Sequence, residues 1–425
     1  MNKLLFCSLA VLTMLAVTLQ PSPSLAAAGS GSLIKLNCPA GSGSDHPCRA
    51  VYYWGADGKR HAFPNERTYF SWYRDFSQVQ TVDQSVMGGL MLGPNITSRP
   101  GTRMLKFPSE GKVYAVARGG ELRWVATEAA AQAAFGGDWN RKIDDLSEAF
   151  AGDYRIGTAI NSAADYSTAA ELGASPTIDA DSGATYEYRS VSTSGGNFDA
   201  HIITLDRGRY KMKSLVDAAA DCSDQCSAKP LADYAKAAGA GIAIHGTYFC
   251  PPDYADCAGK TYSFLWPVYD SSREVMRNAD NIKFHEAPII ASYADGSLKY
   301  YRRANAYASL AAFEAAYGSR IEAAISNYPG LVDSGVSVVE SEPRLESGQR
   351  TVKGTRGGIG FNENKIFLVI AKNATVIDLA QIMLALGATE ALNLDGGGSS
   401  ALIYGGAYKT GPGRLLPNAL VFVRR

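Results

Sequence analysis

The stretch Asn393-Leu394-Asp395-Gly396-Gly397-Gly398-Ser399-Ser400 decides how this chain is read. Just upstream, Thr375 stands where a helix N-cap is expected, and Asp378 follows three residues later as in a capping box. Val376, Leu379, Ala380, Met383, Leu384 and Leu386 form a broad apolar face, and Gly387 is a C-terminal stop. An apolar run at 366–370 precedes this helix, and another at 391–394 follows it. The pattern predicts a strand–helix–strand unit with parallel strands and a right-handed crossover. Asp395 then falls just past the carboxyl end of the second strand, where α/β sheets hold ligands. Three consecutive glycines allow close backbone approach and expose N–H groups. Ser399 and Ser400 add hydroxyls before a further short strand at 401–404. The competing reading is a hairpin turn signalled by Asp-Gly, but a turn needs one or two glycines, not three after a strand-end carboxylate.

The same logic recurs upstream. Residues 231–238 read as a helix stopped by Gly239, 242–244 as an apolar strand, and His245-Gly246-Thr247-Tyr248-Phe249 follows it. Two further segments stand out: Tyr328-Pro329-Gly330-Leu331-Val332-Asp333-Ser334-Gly335, and Gly354-Thr355-Arg356-Gly357-Gly358-Ile359-Gly360. Arg414 with Pro417-Asn418-Ala419-Leu420 closes the chain. Together these motifs resemble the phosphodiester glycosidase family, which has lysosomal and bacterial exported members. The 393–400 stretch looks like the family signature. Arg356 aligns with the arginine of the family's Pro-Arg-Thr-Ala-Ile-Gly segment. The 245–249 segment is an altered version of Asn-Gly-Gly-Phe-Phe, with His245 in place of an asparagine and Thr247 in place of a glycine. The resemblance runs from Tyr186 to Arg425 and implies a mixed α/β (α+β) glycosidase-like domain over 186–425.

The bulk properties bound the rest. The 425 residues are enough for two or three domains, and 41 Lys+Arg balance 41 Asp+Glu, which gives no case for a nucleic-acid partner. Lys3, an apolar stretch at 4–19, helix-breaking Pro21 and Pro23, and the small-residue site Ser24-Leu25-Ala26 read as a signal peptide over 1–26. A retained membrane anchor is the weaker alternative, and no later run is long enough to span a bilayer. The expected location is therefore secreted: extracellular, periplasmic or cell-surface. Six cysteines remain after cleavage, in three close pairs: Cys38 with Cys48, Cys222 with Cys226, and Cys250 with Cys257. Disulfides fit an exported chain, although six cysteines allow fifteen connectivities. A zinc site at 222–226 is disfavoured because no second CxxC or HxxxH lies nearby.

Residues 27–47 are rich in Gly, Ser and Ala and read as a flexible leader. From 48 to 156 two stretches share a hairpin followed by a short helix. Val51-Tyr52, Asp57-Gly58 and Asn65-Glu66 match Val113-Tyr114, Gly119-Gly120 and Thr127-Glu128. These tandem modules resemble those of exported surface proteins. Tyr52, Tyr53, Trp54, Tyr69, Phe70, Trp72 and Tyr73 could stack on a glycan, including a cell-wall polymer. The favoured reading is that they fill the cores of small modules. Residues 157–185 read as a linker.

A glycosyl-1-phosphodiester reaction needs a carboxylate at the anomeric carbon, cations or N–H groups at the phosphate, and groups that fix the sugar. The resemblance assigns Asp395 the carboxylate and Arg356, with its planar fork, the phosphate. His245 becomes an acid/base or phosphate ligand. Thr247, Asn393, Gly396, Gly397, Gly398 and Ser399 complete the expected substrate contacts. Glu286, Asp333 and Glu342 stand unassigned as second carboxylates. Asp395 as a mere turn cap and Arg356 as a structural ion pair are the plain alternatives. No loop of the Asp-x-Asp-x-Asp kind occurs, so no cofactor is firmly expected, although Asp395 and nearby carbonyls could serve a divalent cation such as calcium. The expected activity is hydrolysis of a glycosyl-1-phosphodiester in a glycan or envelope polymer. The alternative is a non-catalytic carbohydrate- or wall-binding protein with a degenerate domain.

Overall fold

A computed structural model describes residues 28–283, 286–307 and 309–425; the expected signal peptide lies outside them. The architecture is mixed α/β, built on three sheets around one principal core. The largest sheet runs in the order Ala184–Thr193, Gly196–Asp206, Lys365–Ala374, Gly354–Phe361, Glu390–Gly396, Gly330–Asp333, Val336–Ser337. A second runs Tyr210–Val216, Asn418–Arg424, Ile242–His245, Leu402–Tyr404, Ala407–Thr410. Alternation along each strand sends Ile203, Leu368 and Leu392 of the first sheet against Ile244, Leu402 and Leu420 of the second. The third sheet adds Ile290 and Ile325 to the same core.

The opposite face of the first sheet is covered by the helix Val376–Ala385. Its expected capping box forms: the Asp378 amide donates to the Thr375 hydroxyl at 3.1 Å, and the Asp378 carboxylate accepts the Thr375 N–H at 2.9 Å. The strands either side of this helix do run parallel, but Gly354–Phe361 lies between them, antiparallel to both. Gly196–Asp206 and Tyr210–Val216 do not pair; they belong to different sheets, and the turn between them crosses the sandwich.

Two smaller sheets precede this domain. In each, a central strand pairs antiparallel with a hairpin on one side and parallel with a later strand on the other: Leu33–Leu36 with Tyr52–Trp54 and Val79–Val82, and Met104–Lys106 with Val113–Ala117 and Ile143–Asp145. Asn65 and Thr127 cap the helices that follow the hairpins. The leader reading is corrected here. Leu33 and Ile34 are buried and their strand lies inside the smaller four-stranded sheet; four residues in a Gly/Ser-rich context carry too little pattern to show it.

The stretch 157–185 is not a loose tether either. It holds the short helices Thr168–Ala174 and Ile178–Ser182, and two buried carboxylates tie it down. Asp179 accepts the Ala56 N–H at 2.9 Å, while Asp181 accepts the Gly119 N–H at 2.8 Å and the Ser175 hydroxyl at 2.9 Å. Burial pushes both carboxyls above their usual range. The Ala56 carbonyl in turn accepts from Gly405 at 3.1 Å, so the first hairpin docks on the second large sheet. All three local cysteine pairs form disulfides: Cys38–Cys48, Cys222–Cys226 and Cys250–Cys257.

Candidate active site

Glu390–Gly396 ends at the signature stretch, and a short 3-10 turn over Gly397–Ser399 follows. Asp395 is half-buried at that junction. Its Oδ1 accepts the Gly396 N–H at 2.7 Å. Desolvation raises its carboxyl pKa to about 6; the Gly396 N–H, the Ser399 hydroxyl and the charges of Arg414 and Arg356 hold the rise in check. Gly397 and Gly398 are exposed.

Two guanidinium groups flank this turn. Arg356 pairs in register with Gly396 and lines a cavity of about 630 Å³. It donates to the Val352 carbonyl at 2.6 Å and the Ala374 carbonyl at 3.2 Å, and these two bonds fix the fork. Arg414 sits at the other end. Its N–H donates to the Gly398 carbonyl at 3.0 Å, and its Nη1 lies 3.5 Å from Ser399 Oγ. A fork-to-fork pair with Asp253 at 2.9 and 2.6 Å and the ring of Tyr254 at 4.9 Å hold it there. Asp253 and Tyr254 lie within the loop closed by Cys250–Cys257.

The cavity beside Arg356 is walled by Tyr248, Trp266, Glu286, Tyr328, Arg344 and Gln349, among others. Trp266 and Tyr328 lie almost parallel, 8° apart with centroids 6.4 Å apart. The Tyr248 hydroxyl accepts from Asn393 Nδ2 at 2.8 Å and from Gln349 Nε2 at 3.3 Å. Both lone pairs are then engaged, and the phenolic proton is what the group has left to offer a ligand. Burial raises its pKa, so it stays protonated.

Four residues expected to touch substrate are instead buried: Ser399 within the turn, and His245, Thr247 and Asn393 behind it. His245 is wholly buried, with Nε2 2.7 Å from the Asp395 carbonyl oxygen and Nδ1 3.2 Å from the Ala401 N–H. The Asp395 carbonyl can only accept, so Nε2 carries a proton; Nδ1 lies 3.2 Å from both the N–H and the carbonyl oxygen of Ala401, and because burial depresses the ring's pKa the ring is neutral and Nδ1 accepts from the N–H. His245 is therefore a positioning residue, and the acid/base role is corrected. A Cβ on Gly357 would come within 2.4 Å of this ring, which explains the glycine. Thr247 donates its N–H to Asn418 Oδ1 at 3.0 Å and accepts from Asn418 Nδ2 at 3.1 Å. Asn393 donates to Tyr248 and to the Tyr328 carbonyl at 3.1 Å. Thr247 and Asn393 thus brace the strand ends.

Of the three unassigned carboxylates, only Glu286 lines the cavity. Glu342 is buried against Arg303 at 2.8 Å and Arg302 at 3.5 Å, and Asp333 faces Arg302 at 4.0 Å. Among the described residues no group of three or more His, Cys, Asp or Glu is placed to hold a metal. Sequence reasoning assigned no site role to Arg414, Tyr248 or Gln349. The signals for Arg414 were its place in the closing motif with Pro417-Asn418-Ala419-Leu420 and in Gly411-Pro412-Gly413-Arg414, a rigid turn next to the closing strand.

Residues 275–423 match the phosphodiester glycosidase family. That segment contains Arg356, Asp395 and Arg414, and begins after His245 and Tyr248. A solved structure of a hypothetical protein from Synechocystis is similar at 17% identity and a TM-score of 0.41, over 57% of this chain and 62% of that one. The catalytic domain of zebrafish N-acetylglucosamine-1-phosphodiester alpha-N-acetylglucosaminidase, auto-inhibited by its pro-peptide, is similar at 15% identity and a TM-score of 0.45, over 57% of this chain and 83% of that one. No curated protein matches the chain. Among the described residues no helix is long and apolar enough to cross a membrane.

Proposed function

We propose that this protein is an exported hydrolase that cleaves a glycosyl-1-phosphodiester in a glycan or envelope polymer. The observation that carries the reading is the placement of Asp395 between two arginines, on an exposed glycine turn beside an aromatic-walled cavity. The family match over 275–423 and the three disulfides support it.

In this reading the cavity takes the sugar, with the Trp266 and Tyr328 rings against its faces. Arg356 and Arg414 hold the phosphodiester from either side of the turn, joined by the Gly397 and Gly398 N–H groups. Asp395 meets the anomeric carbon as a carboxylate, either attacking it or stabilising positive charge there. A phosphodiester leaves readily, so a strong general acid is not required, and the Tyr248 hydroxyl is left to fix a sugar oxygen. The altered 245–249 segment does not argue against activity, because His245 and Thr247 point into the frame and not at the ligand.

The test is sugar release from an α-N-acetylglucosamine-1-phosphodiester by the purified protein and by Asp395→Asn. Release by the unchanged protein alone supports the reading. Equal release by both removes Asp395 from the chemistry.

A further inference from the structure

The register of the first large sheet places a second feature in the same row as Asp395. Tyr188 pairs with His201, His201 with Ile370, and Ile370 with Gly357. Gly357 lies beside the Asp395 carbonyl, and its neighbour Arg356 pairs with Gly396. Tyr188 is therefore four strands along one row from Asp395, or about 19 Å at the usual ~4.8 Å strand spacing.

At that far end the residues on the inner face reach beyond the packed core. Tyr188 is 55% exposed, and its ring lies 4.5 Å from His201 at 36°. The Tyr186 hydroxyl meets His201 Nδ1 at 2.9 Å, and Lys409 Nζ sits 5.1 Å from the Tyr186 ring centre. Lys372 bonds the Thr410 hydroxyl at 3.1 Å. Thr410 leads through Gly411-Pro412-Gly413 to Arg414 at the site. Aromatic faces and ammonium groups thus run along one rim toward the two arginines.

We propose that Tyr186, Tyr188, His201, Lys372 and Lys409 form a distal subsite for a polymer of sugars joined through phosphodiesters, which enters the site along this rim. The exposed Tyr188 ring would stack on a sugar face, backed by His201 and Tyr186, and the lysines would meet the phosphodiester charges. An aromatic strip alone would suit a neutral glycan; the interleaved lysines favour the anionic one. The inference rests on the hydrolase reading for its choice of ligand, but binding can be measured without turnover.

The experiment uses the full chain carrying Asp395→Asn, which removes cleavage. Its dissociation constant is measured for a soluble polymer of N-acetylglucosamine-1-phosphodiester units and for a neutral N-acetylglucosamine oligomer. Adding Tyr188→Ala should weaken polymer binding by about tenfold, and Lys372→Gln should weaken it further and reduce its salt dependence. Tyr188 is exposed, so unchanged thermal melting will show that the fold is intact. Equal polymer binding with and without Tyr188→Ala would overturn the subsite. Equal affinity for the neutral oligomer would overturn its anionic specificity. If the unchanged protein releases no sugar while Tyr188-dependent polymer binding persists, the hydrolase reading falls and the subsite stands.

Discussion

Around Asp395 the chain builds a sealed frame on one side and an open rim on the other. The frame consists of His245, Thr247, Asn393, Asn418 and Asn327. Asn327 accepts the Tyr248 N–H at 3.1 Å and donates to the Asn393 carbonyl at 2.9 Å, joining the two halves. Its polar side chains are buried and spend their hydrogen bonds on main-chain and side-chain groups of the strand ends. The rim consists of Asp395, Gly396, Gly397, Gly398, Arg356 and Arg414. There the guanidinium groups are held in place yet face an accessible turn and cavity. Polar residue type therefore does not separate the buried frame from the open rim in this molecule; the direction of each side chain relative to the sheet does.

The comparison makes graded predictions. The largest effect belongs to the rim carboxylate: Asp395→Asn should lower turnover roughly 1,000-fold or more while leaving the fold intact. Arg356→Ala and Arg414→Ala should each lower kcat/KM on a glycosyl-1-phosphodiester about 100-fold, the loss expected for a group that stabilises developing charge. Lysine at either position should restore only part, since it lacks the fork. Steady-state kinetics on all five variants will check this ranking, and a rim arginine that can be lost without effect would break it.

The frame should respond in stability instead. Asn418→Ala leaves the buried Thr247 N–H without its partner and removes the donor to the Thr247 hydroxyl, and should destabilise the protein by about 2–4 kcal/mol in denaturant unfolding. His245→Ala removes the brace on the Asp395 carbonyl and opens a cavity, with a loss of similar size. A frame variant with full stability and no activity would erase the distinction between the two layers.

The smallest effect follows from linkage. The folded-state pKa of Asp395, about 6, lies above the ordinary 3.8. A raised carboxyl favours the folded state when protonated. Its contribution is present below about pH 4 and is lost as pH rises through about 6. At pH 8 Asp395→Asn should therefore be more stable than the unchanged protein by about 1–3 kcal/mol, with the gap closing below about pH 4. Thermal melts of the two proteins across that range will show it.

The sequence reveals the elements near the site well. The helix after Thr375, the strands either side of it, the second helix–strand pair ending at His245 and the local disulfides are all carried by periodicity, caps, stops and cysteine spacing. What it hides is long-range. Nothing in His245-Gly246-Thr247 says that these side chains turn toward Asp395 and Asn418, more than 140 residues away. Nothing in Arg414 says that Asp253 will hold it beside Ser399. The strand Leu33–Leu36 and the docking of 157–185 escape for a related reason: each is stabilised by partners elsewhere in the chain, not by its own pattern.

The most direct test is the pH dependence of sugar release from an α-N-acetylglucosamine-1-phosphodiester, from about pH 4 to about pH 8. If ionised Asp395 acts at the anomeric carbon, activity rises with pH through about 6, and Asp395→Asn is inactive throughout. Activity that persists in Asp395→Asn, or that is unchanged across this range, would contradict the account.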